Sequence, residues 1–182
     1  MRKPTSLRSL SRRRFLRSAA LLAPAIAWPA VAMAAAPARR IGFYHTHTGE
    51  TLDVVYSEHD AYLPDALARI DHLCRDFRSG DAHAMDPALL DLLHDVQQAT
   101  GRGGRFEIIS AYRSPATNRM LAERGGVADR SLHLTGQAMD VRLPGVRTVD
   151  LQRAALDRAR GGVGYYPESD FVHLDTGRVR RW

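Results

Sequence analysis

Ser131-Leu132-His133-Leu134-Thr135-Gly136-Gln137-Ala138-Met139-Asp140 is the stretch that decides how this chain is read. His133 and Asp140 are seven apart, a spacing that would share one face of a helix. Gly136 between them, and the strand-like run from Ala138 to Arg142, argue against a helix. The expected arrangement is an extended piece ending at His133, a turn at Thr135-Gly136, and a strand with Asp140 pointing inward. About thirty residues on, Asp170-Phe171-Val172-His173-Leu174-Asp175 places a second imidazole on another strand, positioned to close the site from a neighbouring register.

Two imidazoles and one carboxylate are the protein half of a catalytic zinc site, which leaves its fourth position to water. A single histidine is commonly an ordinary part-buried residue. A carboxylate inside an apolar strand is different, because it needs a cation or several donors. His133, Asp140 and His173 are therefore read together as ligands of Zn2+. Zinc held this way lowers the pKa of its bound water to about 7. A carboxylate beside that water can take its proton and pass it to a leaving amine.

Asp170 and Asp175 are the candidates for that role. In an extended strand Asp175 shares the face of His173, while Asp170 falls opposite unless the strand starts with a bend, for which Pro167 and Ser169 are suitable. A carboxylate on the ligand's own face would serve equally well to orient the imidazole. Arg113, in Ser110-Ala111-Tyr112-Arg113-Ser114-Pro115, sits between a predicted strand and a predicted helix. Its bidentate fork suits a substrate carboxylate or a developing oxyanion, with a structural salt bridge as the competing role. His45-Thr46-His47 has the look of a ligand pair but lies beside a hairpin turn without a carboxylate pattern, and is read as surface strand. His59, His72, His83 and His94 lie on or beside predicted helices and are expected to face solvent.

The first 34 residues are set apart. Ser11-Arg12-Arg13-Arg14-Phe15-Leu16-Arg17 has the form of a twin-arginine export signal. A mildly apolar run from Ala19 to Val31 follows, broken by Pro24 and Pro29, and Ala32-Met33-Ala34 supplies the small residues of a cleavage site near Ala34/Ala35. The expected partner of this segment is the twin-arginine translocation machinery, and the expected destination the periplasm. Seven of the 26 basic residues and none of the 20 acidic ones fall here, so the remaining 148 residues carry a net charge of −1. The high pI belongs to the leader and does not argue for nucleic acid, which is excluded as a partner. Residues 35–182 make one domain, large enough for an ordinary core. Cys74 is the only cysteine, so no internal disulfide forms, and it is read as a small core residue.

Elsewhere, Ile41–His45 and Thr51–Tyr56 read as a hairpin around Thr48-Gly49. Leu67, Ile70, Leu73, Cys74 and Phe77 predict a helix from Leu63 to Arg78. Asp86-Pro87 opens a second helix that ends before Gly101. Arg105–Ala111 reads as a central strand, Pro115–Arg124 as a helix, and Thr148 as the cap of a helix reaching Arg160. Short strands follow at Val163–Tyr166, Asp170–Leu174 and near the end. Helices dominate the first half and strands the second, which predicts an α+β fold on an antiparallel sheet.

These motifs resemble the zinc D-alanyl-D-alanine metallopeptidases, whose fold is shared with the hedgehog signalling domain. Ser131, His133, Gly136, Ala138 and Asp140 match the family pattern Ser-x-His-x-x-Gly-x-Ala-x-Asp, and His173 matches its later ligand. Tyr112, Arg113 and Ser114 match its Tyr-Arg-Ser element, which implies an arginine at the oxyanion. The exported murein endopeptidases of the MepK type are the most similar branch, through His47-Thr-Gly-Glu50, Met85-Asp-Pro87, Gly162-Val-Gly-Tyr-Tyr-Pro167 and Val172-His-Leu-Asp-Thr-Gly177. The resemblance implies a hedgehog/DD-peptidase-like fold and hydrolysis of peptide cross-links between peptidoglycan stems. A carboxypeptidase trimming those stems and a non-catalytic zinc-containing wall-binding protein are the alternatives. Relatives place an acidic residue three before the last histidine, or use His-x-His. Here those positions hold Asp170 and Asp175, and the resemblance ranks Asp170 first as base.

Overall fold

The alternation in Thr51–Glu58 (β2) does what a period of two dictates: Leu52, Val54 and Tyr56 are buried while Thr51 and Asp53 face water. β2 pairs with Arg39–His45 (β1) across the expected turn, and a short Ala61–Tyr62 (β3) extends its far edge. The computed structural model describes residues 36–125 and 127–182; the expected leader, with its cleavage point near Ala34/Ala35, lies outside them. Two helices follow, Pro64–Leu73 (α1) and Pro87–Thr100 (α2). Asp86 caps α2 by accepting from the backbone N–H of Ala88, and Pro87 occupies the first turn, where no N–H is missed.

Phe106–Ser110 (β4) then enters the middle of the sheet, followed by Pro115–Glu123 (α3) and a 3₁₀ turn at Leu132–Thr135. Ala138–Arg142 (β5), Thr148–Arg158 (α4), Gly162–Tyr166 (β6), Phe171–Asp175 (β7) and Arg180–Arg181 (β8) complete the chain. The eight strands lie in the order β3-β2-β1-β4-β5-β7-β6-β8. Phe43, Ile108, Met139, Val141, Val172 and Leu174 join Ile70, Leu89, Leu93 and Leu151 of the helices in one core. Successive strand residues alternate faces, so Asp140 and His173 turn the other way. No helix among the described residues is long and apolar enough to cross a membrane.

The α+β class holds, but the sheet is mixed. β1 pairs with β4 in parallel, and so does β6 with β8. The α1–α2 excursion carries the chain back over the sheet before β4, which returns it in the direction of β1.

Three local expectations change. The helix predicted to reach Arg78 stops at Leu73, because Cys74 O accepts from Tyr112 N at 3.1 Å and the backbone is drawn to the turn after β4. Thr148 is the first helical residue and not the cap; its hydroxyl bonds the carboxylate of Asp170. His133 lies inside the 3₁₀ turn and does not end an extended piece. Gly136 closes that turn at φ +67, and a Cβ there would collide with the carbonyl of Ala84. Only glycine suits both demands.

Candidate metal centre

Strand register brings the carboxylate and the second imidazole together. Asp140 on β5 lies opposite His173 on β7 and opposite Ser110 on β4. His133 arrives from the 3₁₀ turn, which is tied to the segment after β4 in both directions. Its Nδ1 lies 2.6 Å from Ala111 O, and its carbonyl accepts from Arg113 N at 3.1 Å. His133 Nε2 is then 3.4 Å from Asp140 Oδ2 and 3.3 Å from His173 Nδ1, which is itself 2.8 Å from Asp140 Oδ1. One ligand atom from each of the three lies within 4.8 Å of the others.

The partners indicate which ring nitrogen each histidine would offer to a metal. A carbonyl only accepts, so His133 carries its proton on Nδ1 and turns a lone pair on Nε2 to the centre. His173 is flanked by two acceptors, Asp175 Oδ2 at 3.0 Å from Nε2 and Asp140 Oδ1 at 2.8 Å from Nδ1, and a proton kept on Nε2 by Asp175 leaves Nδ1 for a cation. In that tautomer two lone pairs and a carboxylate face one another in a largely buried space, an arrangement that a cation relieves. The donor set and its outer hydrogen bonds fit Zn2+.

Electrostatics agree. Burial works against the charged form of Asp140, but His133 and His173 hold its carboxyl below the usual range. Burial likewise pulls His173 down, and hydrogen bonds to Asp140 and Asp175 more than offset it. The centre therefore favours positive charge.

Asp175 is fully buried behind His173, gripped by Arg180 Nη2 at 2.6 Å and by the N–H groups of Gly162 and Gly177 at 2.9 and 2.8 Å. It backs the imidazole ring and does not face the open space. Asp170 is not brought to the centre. It sits at φ +50 just before β7, with its carboxylate bonded to Thr148 and 3.6 Å from Arg142. The bend expected there exists, but it turns the side chain towards the start of α4. The structure therefore does not bring the Asp170 carboxylate together with the three ligands, contrary to the sequence expectation for a base.

Arg113 is buried at the wall of the same cleft, which measures about 800 Å³. Its Nη2 bonds Ser131 Oγ at 3.3 Å, and its Nε has no partner among the described residues. Arg78, Arg130 and Arg180 also line the cleft, and Asp140 is the only carboxylate among its described lining residues. Asp76 supports this wall from behind, accepting from Ser114 N and Arg78 N at 2.9 Å each.

His45 is buried at the end of β1, which corrects its reading as surface strand; burial lowers its pKa. His47 lies one turn further on, stacked on Phe77 at 3.9 Å, and lines the cleft. His94 is only partly exposed, and its Nδ1 is buried. Tyr166 and Trp182 complete the cleft wall. Sequence reasoning assigned neither a role, although Tyr166 stood inside a quoted motif.

Comparison with known proteins adds the family. Residues 33–182 match the family model described as peptidoglycan L,D-endopeptidase MepK. The chain is 40% identical over 165 residues to the peptidoglycan L,D-endopeptidase MepK of Escherichia coli (strain K12), covering 90% of this chain and 91% of that protein. The Shigella flexneri protein of the same name gives the same figures. The probable peptidoglycan L,D-endopeptidase MepK of Haemophilus influenzae is 40% identical over 155 residues, covering 84% of this chain and 83% of its own length. With a family match that spans the whole metal centre and both edges of the sheet, this chain belongs to the peptidoglycan L,D-endopeptidase MepK family.

Proposed function

We propose that this protein is a zinc-dependent endopeptidase that hydrolyses L,D peptide cross-links in bacterial peptidoglycan. The observation that carries the reading is the trio of potential ligand groups, His133, Asp140 and His173, converging in a cleft of a chain with this family membership. When bound, the zinc would polarise the scissile carbonyl and make water nucleophilic at neutral pH. His133, Asp140 and His173 would hold it. Ala111 O and Asp175 lock the two imidazoles in the ligating orientation.

Arg113 stabilises negative charge on the substrate from the cleft wall, where burial strengthens its effect. Peptidoglycan stems carry carboxylates, and a cleft lined by Arg78, Arg113, Arg130 and Arg180 complements them. The hedgehog/DD-peptidase-like fold belongs to the same reading, supported by the mixed sheet with helices packed on its core side. So does export: residues 1–34 act as the twin-arginine leader, and cleavage near Ala34/Ala35 releases residues 35–182 to the periplasm.

The test is digestion of purified wall sacculi by the zinc-loaded protein, with products resolved by mass and Asp140→Ala alongside. Release of uncross-linked stems by the parent and not by the variant is expected. Release of single terminal residues would point to a carboxypeptidase instead, and full activity of Asp140→Ala without bound metal would remove the mechanism.

A further inference from the structure

Tyr166, at the end of β6, and Trp182 meet at the cleft beside the metal centre. Both are large and still 37% and 49% exposed, so neither is retained for the core. Trp182 Nε1 lies 2.8 Å from Tyr166 Oη. An indole N–H only donates, so the phenol accepts this bond and keeps its own proton to give elsewhere. No acceptor among the described residues takes that proton. Accepting one hydrogen bond also strengthens the next one donated.

The pair is held rigidly. The Tyr166 ring stacks on Phe171 with centroids 4.5 Å apart and planes at 18°. Trp182 is clamped by its backbone, donating to Val163 O at 3.2 Å and accepting from Tyr165 N at 3.0 Å. Its ring lies 5.2 Å from that of His173, under the Arg180 guanidinium at 4.9 Å. Gly164, opposite His173 in the register, leaves room for the indole; a Cβ there would come within 2.7 Å of the ring. Strand pairing thus sets the hydroxyl at a defined place in the same cleft as Arg113 and the three ligands.

We propose that the Tyr166 hydroxyl is a second donor to the oxygen of the scissile carbonyl as it becomes negative, and that Trp182 is the positioning residue that aims it. The inference rests on the endopeptidase reading above. No atom is transferred: the O–H···O bond shortens as charge builds, so it strengthens in the transition state more than in the bound substrate. Arg113 brings charge to this oxygen, and Tyr166 brings a fixed direction.

The test compares the zinc-loaded full chain with Tyr166→Phe and Trp182→Phe on a purified cross-linked muropeptide. Tyr166→Phe keeps the stacked ring and removes only the hydroxyl. It is expected to lower kcat on the order of 100-fold, with KM, zinc stoichiometry and Tm unchanged. Trp182→Phe is expected to lower kcat by a smaller factor, again without loss of zinc. A second readout needs no turnover: a phosphinic dipeptide, a tetrahedral anion, should bind Tyr166→Phe more weakly than the parent by a similar factor in calorimetry.

An unchanged kcat with unchanged phosphinate affinity would overturn the proposal. So would a fall in activity that tracks lost zinc or a lower Tm, which would make the role structural. Failure of the parent to cut any muropeptide would instead sink the endopeptidase reading, leaving the phosphinate comparison to decide Tyr166 by itself.

Discussion

Asp175 Oδ2 lies 3.0 Å from Nε2 of His173, on the side of the ring remote from Asp140. This contact favours the tautomer in which His173 offers Nδ1 to a metal, and it places Asp175 behind the ring and not in the open space. Its other oxygen accepts from Gly162 N, Gly177 N and Arg180 Nη1, so the carboxylate has no capacity left for solvent.

Asp175→Asn is expected to weaken zinc binding by about 10- to 100-fold, the usual effect of disturbing a ligand's hydrogen-bond partner. Competition with a chromogenic chelator measures it. Asp175→Ala should instead cost about 3–5 kcal/mol in urea unfolding, because the Arg180 charge and two N–H groups lose their acceptor.

Asp170→Ala should leave the zinc stoichiometry at the parent value and activity within about threefold, since its carboxylate serves Thr148 and Arg142 and not the centre. Asp140→Ala should lose both. Metal analysis and muropeptide release on the two variants side by side provide the check, and a hundredfold loss in Asp170→Ala would restore it as the base.

Asp76 makes stability depend on acid. Burial opposes its charge, yet hydrogen bonds from Thr117, Ser114 and Arg78 hold its pKa down to about 2, against an ordinary 3.8. A folded pKa below the unfolded one gives stability that is complete above the unfolded value and lost as pH falls towards the folded one. The contribution, about 2 kcal/mol, should therefore disappear between about pH 4 and pH 2. Urea midpoints across that range should fall less steeply for Asp76→Asn than for the parent.

Gly136→Ala is expected to destabilise the fold by about 2 kcal/mol or more, since alanine is strained at positive φ and its methyl would meet the Ala84 carbonyl. The Asp86 N–H bond to Gly136 O should be disturbed with it. Because Gly136 closes the turn that carries His133, zinc affinity should fall in the same variant. A loss of stability with unchanged zinc affinity would show that the turn and the ligand are uncoupled.

Local grammar made several elements legible. The strand from Ala138 to Arg142 has the bounds its residue pattern implied, and Asp86-Pro87 opens α2 because an acceptor and a ring without an N–H answer the unpaired donors of a first turn. The end of α1 was not legible. Periodicity continues through Cys74 and Phe77, but a bond from Tyr112, far along the chain, draws the backbone away. Trp182 carried no local signal at all; its position depends on β8 joining the sheet beside β6.

What the sequence determined by itself was the set of chemical groups and their local geometry: two imidazoles, a carboxylate, an arginine after a strand, and the glycine that lets the 131–136 turn close. Those follow from side-chain chemistry and short-range backbone preference. Tertiary structure alone decided where the carboxylates of Asp170 and Asp175 lie. The bend before β7 turns Asp170 to Thr148 and the start of α4, while strand parity puts Asp175 behind His173, and both depend on where β7 begins and what it pairs with. It also brought Tyr166 and Trp182 to the cleft, because hydrogen bonds between strands, and not spacing along the chain, set which side chains share a wall.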